Sequence, residues 1–156
     1  MEFEQRLQRA IERGSHAREK KGQEAAAHAL SEEELKNLHT KFRLELSDHI
    51  EHCLRKVSNH FRGFQLSTAV RDGMGAKISR DELGRHGASL FSLLEMVVRP
   101  YSTLHIVELN AKGTIRNKEV FHRNHFQTLS DVNLESFRAL IDQWVLEFAE
   151  QLSANG

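Results

Sequence analysis

Between Leu35 and Phe61 the residues Leu35, Leu38, Phe42, Leu46, Ile50, Cys53, Leu54, Val57 and Phe61 recur mostly at intervals of three and four. That spacing places side chains along one face of an α-helix. Ser31 followed by Glu34 makes a capping box, and Leu30 with Leu35 makes the hydrophobic staple that fixes the entry of the chain. Gly63 supplies the stop. A helix of about thirty residues reaches roughly 45 Å, longer than a compact domain of this size ordinarily needs. Its excess length is expected to be buried against a second copy of the chain.

After Gly63 the period changes to two. Phe64, Leu66, Thr68 and Val70 alternate with Gln65, Ser67, Ala69 and Arg71, which predicts a half-buried strand ending at an Asp72-Gly73 turn. Ala76 to Arg80 reads as its hairpin partner. A competing helix start also stands here, with Ser79 and Glu82 as the box and Ile78 and Leu83 as the staple. Leu90 to Val98 is apolar enough for a buried helix or strand, and the β-prone Met96-Val97-Val98 favours strand. Tyr101 to Leu109 and Thr114 to His122 predict a hairpin closed by Asn110-Ala111-Lys112-Gly113 as a type I turn. Leu129 and Leu134 flank a Ser130 cap, and Leu134, Phe137, Leu140, Ile141, Trp144, Val145, Phe148 and Leu152 form the wide stripe of a last helix.

The expected fold class is therefore α+β: a long N-terminal helix, an antiparallel sheet of about four to five strands, and a C-terminal amphipathic helix packed on the sheet. Residues 31–156 read as one domain. Residues 1–30 read as an N-terminal helical or flexible extension, with Phe3, Leu7, Ala10 and Ile11 as a short stripe before Gly14 and Ser15. The order of elements is similar to that of small dimeric secretion chaperones, which are typically acidic where this chain is neutral.

With 156 residues, 22 Lys+Arg against 22 Asp+Glu, and 39% hydrophobic residues, the chain can bury a core without disulfides or a structural metal. Its zero net charge argues against a nucleic-acid binder that works by bulk electrostatics. The acids Glu2, Glu4, Glu12 and Glu19 near the start fit neither a signal nor a transit peptide, and no apolar run can span a bilayer. Cys53 is the single cysteine, so no internal disulfide forms and a reducing cytoplasm is the expected setting.

Two clusters could carry chemistry. On the long helix, His49, His52 and Cys53 supply imidazole and thiolate at i, i+3 and i, i+4, the groups zinc selects. Glu45 precedes them, and His60, His122 or His125 could complete a shell. In the other, Arg116, Lys118, His122 and Arg123 lie in a basic hairpin, with Thr114, Arg116, Lys118 and His122 expected on one wet face able to hold an anion, an acidic partner or RNA. The 10 histidines also allow a protonation-driven loosening of an oligomer near pH 6. Catalytic signatures are missing: Gly73-Met74-Gly75-Ala76-Lys77-Ile78 opens like a dinucleotide loop but has Ile where the third glycine belongs. The leading expectation is a non-enzymatic homodimeric interaction or chaperone-like adaptor, self-associating through the long helix. Its alternatives are a metal-binding enzyme or sensor at His49, His52 and Cys53, and anion or nucleic-acid binding by the hairpin face.

Overall fold

A computed structural model describes residues 2–30, 32–70 and 73–154, and the side chains of all of these except 22–30. The element order is α1 (Phe3–Leu30), α2 (Glu32–His60), β1 (Gln65–Ser67), β2 (Gly75–Leu83), β3 (Ser89–Val98), β4 (Ile106–Ile115), β5 (Lys118–Thr128) and α3 (Leu134–Ala154). The chain divides into two compact units, Met1–Asn37 and Leu38–Gly156. In the first, α1 continues through Gly14, because the single-glycine cost of about 1 kcal/mol is spread over many Arg, Glu, Lys, Gln and Ala, all strong helix formers. Phe3, Leu7 and Ile11 are exposed on it. The Ser31 cap, the Leu30 side chain of its staple and Asp72 of the expected turn lie outside the described residues.

The second unit is an α+β layer pair. Its five strands form one antiparallel sheet in the order β1-β2-β3-β4-β5, a simple meander. The period-two pattern buries one face: Ile78 of β2, Leu94, Met96 and Val98 of β3, Val107, Leu109 and Ala111 of β4, and Phe121 of β5. Both helices cover that face. From α2 come Leu46, Ile50, Leu54 and Val57, and from α3 Phe137, Ile141, Trp144, Val145, Phe148 and Leu152. Leu90 to Val98 is strand, as its β-branched end predicts, and the stripe of α2 is buried within its own chain at Leu46, Ile50, Leu54 and Val57, whereas Leu38, Phe42, Cys53 and Phe61 are half-buried. Among the described residues no helix is long and apolar enough to cross a membrane.

Four local expectations are corrected. The first strand stops at Ser67, where the Ser67 hydroxyl accepts from the Ala69 amide (3.1 Å) and draws the backbone out of the ladder. The competing helix start at Ser79–Glu82 does not form, because β2 pairs with β3 along its whole length to Leu83↔Ser89. The last hairpin turns at Arg116-Asn117, not at Asn110–Gly113. Both turn residues have positive φ, +48° and +69°, as a two-residue turn matched to strand twist requires, and Asn tolerates that region. Asn117 Oδ1 accepts from the Phe91 amide (2.8 Å) and its Nδ2 donates to the Ser89 carbonyl (2.9 Å), so β3 holds the turn. Finally α3 is capped by Asn133, whose Oδ1 accepts from the Ser136 amide (3.1 Å), whereas Ser130 lies in a preceding 3-10 turn.

Candidate metal centre

The helical repeat of α2 stacks His49 one turn below Cys53, on the flank of the buried stripe and facing α3. On α3, Asp142 follows the fully buried Ile141 and reaches back to both. His49 Nε2 lies 2.8 Å from Asp142 Oδ1, Cys53 Sγ lies 3.6 Å from the same His49 Nε2, and the Cys53 thiol donates to Asp142 Oδ1 at 3.4 Å. Three donor atoms of three chemical types therefore form one small triangle. Zinc bonds of about 2.0–2.3 Å at tetrahedral angles hold such donors about 3.3–3.6 Å apart. Only the histidine–carboxylate edge is shorter, and it opens by a fraction of an ångström.

The triangle differs from a nucleophile–base–acid relay. In a relay the imidazole uses its two nitrogens for two partners, whereas here Sγ and Oδ1 both approach Nε2. The thiol is also poorly disposed to ionise. Burial, the hydrogen bond to Asp142 and the charge of Asp142 push Cys53 up to about 12, against a lesser opposing effect of Lys56. Beside the triangle a cleft of about 380 Å³ opens between α2 and α3. Val57, Val145, Leu146 and Ala149 give it apolar walls, and Lys56 and His60 stand at it with Cys53 and Asp142.

Of the sequence-derived ligands, then, His49 and Cys53 come together and His52 does not: it is exposed on the helix flank. His60 lines the cleft. His122 and His125 sit on β5, the latter edge-on to Phe137 at 5.3 Å. Asp142 was not legible, because a lone acid beside an apolar stripe carries no mark of a partner 89 and 93 residues away.

The basic hairpin is scattered rather than gathered. A register shift at Gly113/Thr114 breaks the assumed alternation. Arg116 lies in the turn, 3.4 Å from Glu82. Arg123 turns to the helical side, where it meets Glu147 in a two-pronged pair at 2.5 and 2.9 Å. Its hydrogen bonds hold the Glu147 carboxyl below the usual range. Lys118 is exposed at the start of β5, and His122 faces Glu119 at 3.7 Å. Compared with protein-family models, curated proteins and solved structures, the chain has no match.

Proposed function

We propose that this protein binds one zinc ion per chain through His49 Nε2, Cys53 Sγ and Asp142 Oδ1, with the fourth position open toward the α2–α3 cleft. The observation that carries the reading is the convergence of the three donor atoms on one point, at separations of 2.8, 3.4 and 3.6 Å. Three protein ligands with an open position are the pattern of catalytic rather than structural zinc. Bound there, zinc would polarise a carbonyl or activate a water. The apolar cleft fits a small, largely apolar substrate, with Lys56 and His60 as the polar groups it would meet.

The test is zinc titration of metal-stripped protein, with cobalt as a spectroscopic substitute. One ion per chain and a thiolate-to-cobalt absorption band are expected. His49→Ala, Cys53→Ser and Asp142→Ala should each abolish stoichiometric binding, and His52→Ala should retain it. Wild-type protein that takes up no zinc, or a C53S variant that binds it unchanged, would sink the proposal.

A second reading, self-association with capture of a protein partner, is favoured by the exposed stripe Phe3, Leu7 and Ile11 on α1. Leu46, Ile50, Leu54 and Val57 of α2 are buried in its own chain, so the exposed stripe of α1 offers the better surface. Light scattering of a Phe3→Glu, Leu7→Glu, Ile11→Glu variant checks it: a native oligomer that becomes monomeric supports this surface, and an unchanged mass refutes it.

A further inference from the structure

The two edges of the sheet are built differently. One is β1, three residues long, where Ser67 draws the backbone out of the ladder. The other is β5, eleven residues from Lys118 to Thr128, and among the described residues no strand pairs with its outer side. Long edge strands are ordinarily kept from pairing by proline, lysine, a bulge or a covering segment. On β5 such devices are confined to its start: Lys118 opens the strand, and the register shift at Gly113/Thr114 lies against its first residues. From Phe121 to Thr128 the strand is regular and holds neither proline nor lysine. Arg123 within it points to the helical side and is held by Glu147.

The ladder fixes which backbone groups face outward. The Leu129 amide donates to the His105 carbonyl at 2.8 Å, one step beyond the Ile106↔Thr128 pair. Bonding alternates along an antiparallel ladder, so Phe121, Arg123, His125 and Gln127 share the phase of Leu129 and bond to β4. His122, Asn124, Phe126 and Thr128 therefore turn their N–H and C=O groups away from it. All four are exposed, and Phe126 is 59% exposed. Each offers one donor and one acceptor in a regular row, which is what a further strand binds.

The same row on a second copy fits it. Antiparallel pairing about a two-fold axis at Asn124 sets outward residues against outward residues, with Asn124 against its own copy and His122 against the Phe126 of the second chain. Each exposed Phe126 thus gains a ring directly across the strands. On the helical side Arg123 meets a His125 and keeps its own Glu147, and no arginine, lysine or carboxylate faces its like. An axis at Arg123 would set the two arginines against each other, and an axis at His125 would set Phe126 against Asn124.

We infer that the chain forms a homodimer joined edge to edge through β5, its two five-stranded sheets running on as one. The interface uses neither the stripe of α1 nor the donor triangle between α2 and α3, and stands or falls separately from both.

Light scattering of the full wild-type chain should give twice its 17.9 kDa. Amide exchange should show His122, Asn124, Phe126 and Thr128 protected like the β5 residues bonded to β4. Asn124→Pro removes an outward N–H and no ladder bond of its own sheet, so the mass should halve with circular dichroism unchanged. Asn124→Lys and Asn124→Glu test the register, because this position faces itself across the axis. Each alone should be monomeric, and an equal mixture of the two should recover the doubled mass. The Phe3, Leu7, Ile11 triple variant and C53S should remain dimeric. A monomeric wild type overturns the inference, including one whose β5 takes up an extended peptide instead. So does a dimer that withstands Asn124→Pro and both charged variants, one lost with the α1 substitutions alone, or one whose four outward amides exchange freely.

Discussion

At the scale of single residues the chemistry turns on neighbours that sequence spacing cannot see. His49 and His52 are equivalent candidates in the sequence, three apart on one helix. The packing of α3 chooses His49 by bringing Asp142 within 2.8 Å of it and leaves His52 in water. His39 shows the same selection in the core. It is 2% exposed, its ring stands edge-on to Tyr101 at 5.6 Å, and its Nε2 has no hydrogen-bond partner. Burial, with a smaller contribution from Arg43, holds its pKa below 6.5, so the folded state carries it neutral. The unfolded chain binds a proton that the folded chain refuses once the pH falls below 6.5. Stability attributable to His39 is therefore intact above that value and declines below it, by up to about 1.4 kcal/mol per pH unit. Urea unfolding of wild type and His39→Leu at pH 7 and pH 5 checks this. The wild type should lose more stability on acidification than the variant, and equal losses would refute it.

Among the elements, helices were legible because a 3.6-residue stripe survives any tertiary context, and α2 and α3 fall where their stripes lie. Strand edges and turns were not. The Asn110–Gly113 segment has the composition of a turn, yet it runs on as strand, with Asn110 and Lys112 on the uncovered face and Gly113 against Phe121. A Cβ on Gly113 would stand 3.0 Å from the Phe121 ring, so the glycine marks a close approach within the hairpin. The turn two residues later is fixed by a third strand: Asn117 donates to and accepts from β3 at 2.8–2.9 Å, a contact invisible in local sequence. Asn117→Ala removes both side-chain bonds and places a Cβ residue without Asn's tolerance at φ +69°. The expected loss is about 1–3 kcal/mol in denaturant unfolding. Asn117→Gly should lose less, because it keeps the backbone conformation, and a neutral N117A would show that the turn is held elsewhere.

For the whole molecule, the decisive fact is that α2 and α3 share one face of the sheet. That arrangement closes the core, sets His49 and Cys53 opposite Asp142, and leaves the other face open. A metal held by both helices binds the folded chain far better than the unfolded one. Saturating zinc, at a hundred times its dissociation constant, should therefore stabilise the fold by about 2.7 kcal/mol. A rise of roughly 5–10 °C in melting temperature follows for a chain of this length. Asp142→Ala, which cuts the tie between the helices, should remove the zinc-dependent rise; its persistence would place the metal elsewhere. In a separate core test, Phe148→Ala, fully buried in α3, should cost about 3–5 kcal/mol with or without metal.

The sequence by itself determined the α+β class, the extents of α2 and α3, and the strand identity of the segment ending in Met96-Val97-Val98. Hydrophobic periodicity is a local property, and burial of one face enforces it. Only the tertiary structure decided which donors meet, where the last hairpin turns and which charged residues stand opposite one another across the sheet. Those outcomes depend on residues far apart in the chain and on strand register, where a one-residue shift moves every side chain to the opposite face.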